Sequence, residues 1–407
     1  MTPRIDRDRL LGSLRDLAAI GATAGGGVTR LALSDEDRAG RDLLRGWLEE
    51  AGLAVRVDDF GNMIGRRKGS TSEPSLLLAS HCDTVWQGGK YDGAYGVLGA
   101  LEVVRTLNDA GNTTRRPVEV VNWTNEEGVR FEPAMLCSGA VTGRFDKSYV
   151  YDRTDRDGRR FGDELQRIGY AGEERHRPGP ASAYLELHIE QGPVLEDADL
   201  PLGVVEGIVG ITWIDVTLTG RADHAGPSPM PLRHDALAAA ARLISGVEEL
   251  SRGVSGAVGT VGRLGVEPNA INTIPGRVVM SVDLRHPDRH ALESLVAGLE
   301  KRAWQIEQVT GVEIALNRFW TSEQTLFDPA VVGAVDAACE SLGLGHQHLW
   351  SGAGHDAKYA QDAWPSAMIF VRSRGGVSHC EEEESAPDDL EAGVNVLLRA
   401  TLDLANR

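Results

Sequence analysis

The chain has only four cysteines in 407 residues, Cys82, Cys137, Cys339 and Cys380, and no two of them form a CxxC pair. That scatter excludes a small disulfide-stapled scaffold and reads as reduced thiols in a cytoplasmic protein. Clusters of Lys and Arg are also lacking. With 42 basic against 60 acidic residues and a formal net charge of −18, a phosphate-gripping nucleic-acid surface is not expected, and the acidic surface chiefly favours solubility. No uncharged apolar run approaches membrane-spanning length. The first residues carry Arg4, Asp6, Arg7, Asp8 and Arg9 and lack the apolar stretch of a secretory signal. Internal repeats and low-complexity tracts are absent, and Glu381, Glu382, Glu383 and Glu384 read as a solvated run of charge. What is present is a hydrophobic fraction of 42%, enough in so long a chain for a large core and two domains.

The stretch on which the rest is organised is Ser80-His81-Cys82-Asp83-Thr84-Val85, followed by Gly88-Gly89-Lys90-Tyr91-Asp92-Gly93. The preceding Pro74-Ser75-Leu76-Leu77-Leu78-Ala79 is apolar and too short for a typical helix, so it reads as a buried strand ending on His81. Strand alternation then puts His81 and Asp83 on one face, with the Asp83 carboxylate placed to take the spare imidazole N–H, and turns Cys82 away. Glycines 88, 89 and 93 let Asp92 fold back toward the same point. A second strand, Val118 to Trp123, ends at Asn125-Glu126-Glu127-Gly128, so two strands deliver imidazole and carboxylates at their C-terminal ends, where open α/β sheets place their sites. Trp86 and Tyr95 would add aromatic bulk nearby.

Taken in order, the chain predicts a helix over Leu10 to Ile20, a second capped by Ser34 and stopped at Gly52, a hairpin over 54–66, and a helix from Val97 to Ala110. Lys147 to Pro180 reads as a surface excursion with one helix near Asp163 to Ile168. In Tyr184 to Gln191, leucines and isoleucine alternate with Glu186, His188 and Glu190, giving a strand with one polar face. From about Ile211 the order becomes strand 214–218, helix 233–249, strands 256–264 and 277–285, helix 289–310 and strand 312–317, a ferredoxin-like β-α-β-β-α-β unit. The expected architecture is therefore α/β. A large catalytic domain (1–211 and 326–407), with a mostly parallel or mixed sheet flanked by helices, carries an inserted smaller α+β domain at 212–325. The large domain resumes with helix Pro329 to Leu342 and strand Ser366 to Val371, which leads into Gly375-Gly376-Val377-Ser378-His379.

His81, Asp92, Glu127, His188 and His379 each follow or lie on a strand of the large domain. Imidazole and carboxylate without thiolate suit two borderline divalent ions, zinc first and manganese or cobalt as alternatives, and five ligands leave open positions for chemistry. Asp92, between glycine turns, is placed to bridge. Two such ions would acidify a shared water toward attack on a carbonyl. Glu126, beside the ligand Glu127 and pointing elsewhere, is the general base and acid expected to carry the proton to the leaving nitrogen.

With these residues the chain resembles the M20 metallopeptidase-like superfamily, in its amidase branch of hydantoinase/carbamoylase type. The resemblance runs from about Leu10 to the C-terminus. It rests on Gly88-Gly89-x-x-Asp92-Gly93, Thr124-Asn125-Glu126-Glu127-Gly128-x-Arg130-Phe131, His188-Ile189-Glu190-Gln191-Gly192, Arg221-Ala222-Asp223-His224-Ala225-Gly226 and Pro268-Asn269-x-Ile271-Asn272-x-Ile274-Pro275-Gly276. It implies the same five ligands with Asp92 bridging, Glu126 as the base, and Gln191, His224, Asn272 and Arg285 as substrate-binding residues, His224 also stabilising the developing oxyanion. It implies a homodimer through the small domain, which also acts as a lid. The implied reaction is hydrolysis of a linear amide on a small carboxylate-bearing molecule, foremost an N-carbamoyl-L-amino acid. Allantoate, β-ureidopropionate, or an N-acyl or peptide bond are the alternatives.

Overall fold

A computed structural model describes residues 3–407. Among these, nine strands form one large sheet in the order 54–57, 63–67, 118–123, 75–81, 181–189, 366–371, 202–208 and 325–326, with 346–351 also paired to 202–208. Its centre is parallel: Ser75–His81 lies between Val118–Trp123 and Ala181–Ile189, and Ser366–Val371 joins the latter on its far side. The edges are antiparallel. All seven residues of Ser75–His81 and all six of Ser366–Val371 are buried, as a strand covered on both faces requires. The covering layer includes Ala94–Asp109, apolar nearly all round, and Pro387–Leu404, which pack against each other and the sheet.

The strand and helix spans at 329–342 and 366–371 coincide with the sequence expectation. Other boundaries move. The first helix is Arg7–Ala18, capped by the Asp6 carboxylate, and the helix after the glycine turn starts at Ala94 rather than Val97. The excursion after Lys147 holds two α-helices, Lys147–Tyr151 and Phe161–Arg167. Helix Pro387–Leu404 was not anticipated, although Pro at its start and Asp388 and Asp389 in its first turn are ordinary helix-opening signals.

The chain divides into two compact units: everything up to Glu206 together with Leu326–Arg407, and Gly207–Thr325. The second unit has its own core, built from Ile214, Val216, Leu218, Met280, Leu284, Leu295 and Leu299 among others. Its main sheet has four strands in the order 313–322, 210–219, 277–286, 258–267, all antiparallel, with helices Ala236–Arg252 and Arg289–Thr310 against them. Trp213, Phe319 and Trp320 form an exposed aromatic cluster. Among the described residues no helix is long and apolar enough to cross a membrane.

Candidate metal centre

Four parallel strands of the first unit end on chemistry. His81 closes Ser75–His81, Glu126 and Glu127 follow Val118–Trp123, His188 lies one residue from the end of Ala181–Ile189, and His379 follows Ser366–Val371. Asp92 reaches them from the glycine turn before helix Ala94–Asp109. Gly93 there has φ +60°, and a Cβ on it would stand 2.4 Å from the His81 ring, so only glycine admits both the turn and the imidazole.

These side chains form two groups whose candidate ligand atoms lie within 4.8 Å of one another: His81, Asp92 and His188, and Asp92, Glu127 and His379. Asp92 belongs to both. Its Oδ1 is 3.1 Å from His188 Nε2 and 3.7 Å from His81 Nε2, while its Oδ2 is 3.4 Å from His379 Nε2. His379 Nε2 is also 3.5 Å from a Glu127 oxygen. The ring orientations suit ligation. His81 Nδ1–H donates to the Asp83 carbonyl at 2.9 Å and His188 Nδ1–H to the Ile189 carbonyl at 2.8 Å, so both Nε2 atoms are acceptors on the Asp92 side, and that of His188 accepts the Gly93 N–H at 3.2 Å.

The donor set fits a divalent cation. Burial pushes the His81 imidazole down to about 4, whereas His188, although burial opposes it, is raised to about 9 by the Asp92 carboxylate, which also raises His379. Burial, then the nearby charges of Asp356 and Glu127, raises the Glu126 carboxyl well above its ordinary value; burial, then Asp92 and Asp83, does the same to Glu127. Negative charge is thus crowded here. Glu127 Oε1 and Gln191 Oε1 are buried and accept no hydrogen bond among the described residues. Oxygen atoms so placed are costly unless a partner takes them up.

Glu126 belongs to neither group, its Oε2 standing 3.6 Å from His81 Nε2. Gln191 donates from Nε2 to Asp92 Oδ2 at 2.8 Å. His224, Asn272 and Arg285 belong to the second unit. His224, exposed, pairs with Thr273 in a two-stranded ladder, and Asn272 immediately precedes that ladder, its carbonyl accepting the Ala225 N–H. The Arg285 guanidinium is aligned by Asp283, with Nε and Nη2 donating to its two oxygens at 3.0 and 2.8 Å.

Three sequence expectations are corrected. The Asp83 carboxylate does not take the His81 N–H, because the strand ends at His81 and alternation goes no further. Its backbone carbonyl does so, while the carboxylate accepts the Glu126 and Glu127 N–H groups at 3.3 Å each. Tyr95 is turned into the helix layer, its hydroxyl donating to the Leu390 carbonyl; Trp86 is the half-exposed aromatic, with Arg156 stacked 4.4 Å over its ring. The run of four glutamates is not uniformly solvated: Glu383 is buried and Glu384 is paired with Lys90. Nothing in four successive identical residues marks which one turns inward.

The model of peptidase family M20/M25/M40 matches residues 77–403. An N-carbamoyl-L-amino-acid amidohydrolase of Rhizobium meliloti is 44% identical over 99% of this chain and 97% of its own length. One from Geobacillus stearothermophilus is 40% identical over 98% and 99%. A crystal structure of an amidase of the hydantoinase/carbamoylase family from Burkholderia multivorans superposes with a TM-score of 0.97 at 46% identity, covering both chains completely.

Proposed function

The chain belongs to peptidase family M20/M25/M40, and from that premise we propose that it is a metal-dependent amidohydrolase acting on N-carbamoyl-L-amino acids. The products are the free amino acid, carbon dioxide and ammonia. The observation that carries the reading is the convergence of two ligand groups on one shared carboxylate, Asp92, with a second carboxylate, Glu126, beside them and in neither group. His81, Asp92 and His188 would hold one ion, and Asp92, Glu127 and His379 the other, zinc first and manganese or cobalt as alternatives. Ions bound there would supply Lewis acidity to the scissile carbonyl and to the attacking water.

The remaining steps belong to side chains. Glu126 accepts a proton from the attacking water and returns it to the departing nitrogen, the exchange expected of a carboxylate with raised proton affinity. Arg285, whose Nε and Nη2 pair with the two Asp283 oxygens in this structure, anchors the substrate carboxylate by exchanging that pairing for the substrate's. Asn272 and Gln191 bind the polar ends of the substrate, and His224 stabilises the developing oxyanion. A homodimer through the second unit is part of the same reading, supported by its exposed Trp213, Phe319 and Trp320. A cytoplasmic location is supported by four free cysteines.

The deciding experiment assays chelated protein reloaded with zinc, manganese or cobalt against N-carbamoyl-L-amino acids, β-ureidopropionate, allantoate and N-acetyl amino acids. Metal-dependent ammonia release greatest with N-carbamoyl-L-amino acids is expected. Turnover confined to N-acetyl substrates would refute the carbamoyl assignment.

A further inference from the structure

The Glu383 carboxylate is buried, with 2% of the residue exposed, and takes part in none of the proposed chemistry. It is nevertheless fully bonded. Its Oε1 accepts the backbone N–H groups of Tyr91 and Asp92, each at 3.1 Å, and its Oε2 accepts the Ser378 hydroxyl at 2.7 Å. Room for it exists only because residue 89 is glycine: a Cβ there would lie 1.9 Å from Glu383 Oε1. The Ser378 oxygen is also 3.3 Å from Asp92 Oδ2 and from Gln191 Nε2. A hydroxyl has one proton, and the shorter contact to Glu383 claims it, so Gln191 Nε2 is left as the donor to both the Ser378 oxygen and Asp92.

Glu383 therefore ties the backbone of Asp92 to the segment carrying His379, four residues before it. Glu384 reinforces the tie, accepting from Lys90 Nζ at 3.0 Å and the Tyr91 hydroxyl at 3.4 Å. We propose that Glu383 is a positioning residue that sets the spacing between Asp92 and His379, and thereby the affinity of the Asp92–Glu127–His379 group for its ion. The group made with His81 and His188 shares Asp92 but has its other two ligands on strands that Glu383 does not touch. Glu383 thus holds two ligands of the one group and only the shared Asp92 of the other, so the Asp92–Glu127–His379 ion is the one weakened more. This rests on the ligand assignment proposed above.

Titration of the chelated full-length protein with Zn²⁺ alone, followed calorimetrically, tests it. The wild type is expected to take up two ions per chain. In Glu383→Ala, one binding step should weaken by about 10- to 100-fold, the usual cost of losing a group that orients a ligand, while the other, which shares only Asp92, weakens distinctly less. Glu383→Gln retains an oxygen for both backbone N–H groups and should recover most of the loss, which a generally destabilised fold would not do. Two unchanged steps in Glu383→Ala, or two equally weakened ones, overturn the inference. Should Glu383→Ala fail to fold by circular dichroism, Gly89→Ala displaces the same carboxylate; selective weakening supports the inference, and wild-type affinities overturn it. A wild-type chain that binds no zinc refutes the ligand assignment itself, a result separate from any of these.

Discussion

Glu126→Gln separates proton transfer from metal binding. The substitution keeps the side-chain volume. The Glu126 carboxylate stands 3.6 Å from His81 Nε2 and belongs to neither ligand group. Metal content and substrate KM should therefore match the wild type. What is lost is the proton acceptor. General acid–base groups contribute about 10²- to 10⁴-fold, so kcat should fall by that factor, or about 2.7–5.4 kcal/mol of barrier at 1.36 kcal/mol per decade. Elemental analysis and steady-state kinetics on one purified variant decide the matter. Loss of an ion would show that the adjacent glutamates have exchanged roles, and a kcat within a few fold of wild type would refute the assignment of Glu126 as base.

Arg285→Lys preserves charge but not the fork, so KM for carboxylate-bearing substrates should rise with kcat little changed; an unaltered KM removes Arg285 as the anchor. Arg41 is buried, donating to Asp37 at 2.9 Å, to the Gly61 carbonyl at 2.6 Å and to Thr124 at 3.1 Å. Arg41→Ala strands the Asp37 charge and should cost about 3–5 kcal/mol in denaturant unfolding; a loss under about 1 kcal/mol would contradict that. Arg130 bonds Asp155 and Glu164, and although burial opposes it, hydrogen bonds from Arg130 and from Arg167 hold the Glu164 carboxyl below its ordinary 4.5. A depressed carboxyl stabilises the fold above its unfolded value and loses that contribution as pH falls toward the folded one. The stability gap between wild type and Arg130→Gln should therefore be full above pH 4.5 and narrow below it, and a pH-independent gap would argue against the pairing.

Elements with strong local signals were legible in the sequence. The capped run from Pro329 to Leu342 and the apolar strand to Val371 needed nothing beyond their own residues. The ligand candidates were legible because strands deliver them: His81, Glu127, His188 and His379 follow or lie on hydrophobic runs. Features that depend on distant chain were not. The inward turn of Glu383 is set by a glycine turn some three hundred residues earlier, and the role of Asp83 by where its strand stops. The start of helix Ala94–Asp109 was hidden by glycines that read as turn on both sides of Ala94 and Tyr95.

The route by which the chain enters and leaves the 207–325 unit has a consequence for how such a molecule could be assembled. It departs along strand Leu202–Ile208 and returns on Thr325–Leu326, and these two are hydrogen-bonded neighbours in the large sheet, with Phe327 N–H donating to the Glu206 carbonyl at 3.0 Å. Exit and entrance are therefore adjacent, and each unit keeps an apolar interior of its own. A short hairpin turn would span the same gap. The order of the parallel strands that carry His81, Glu127, His188 and His379 therefore does not depend on the length of the chain between residues 207 and 325, whose two ends meet on neighbouring strands.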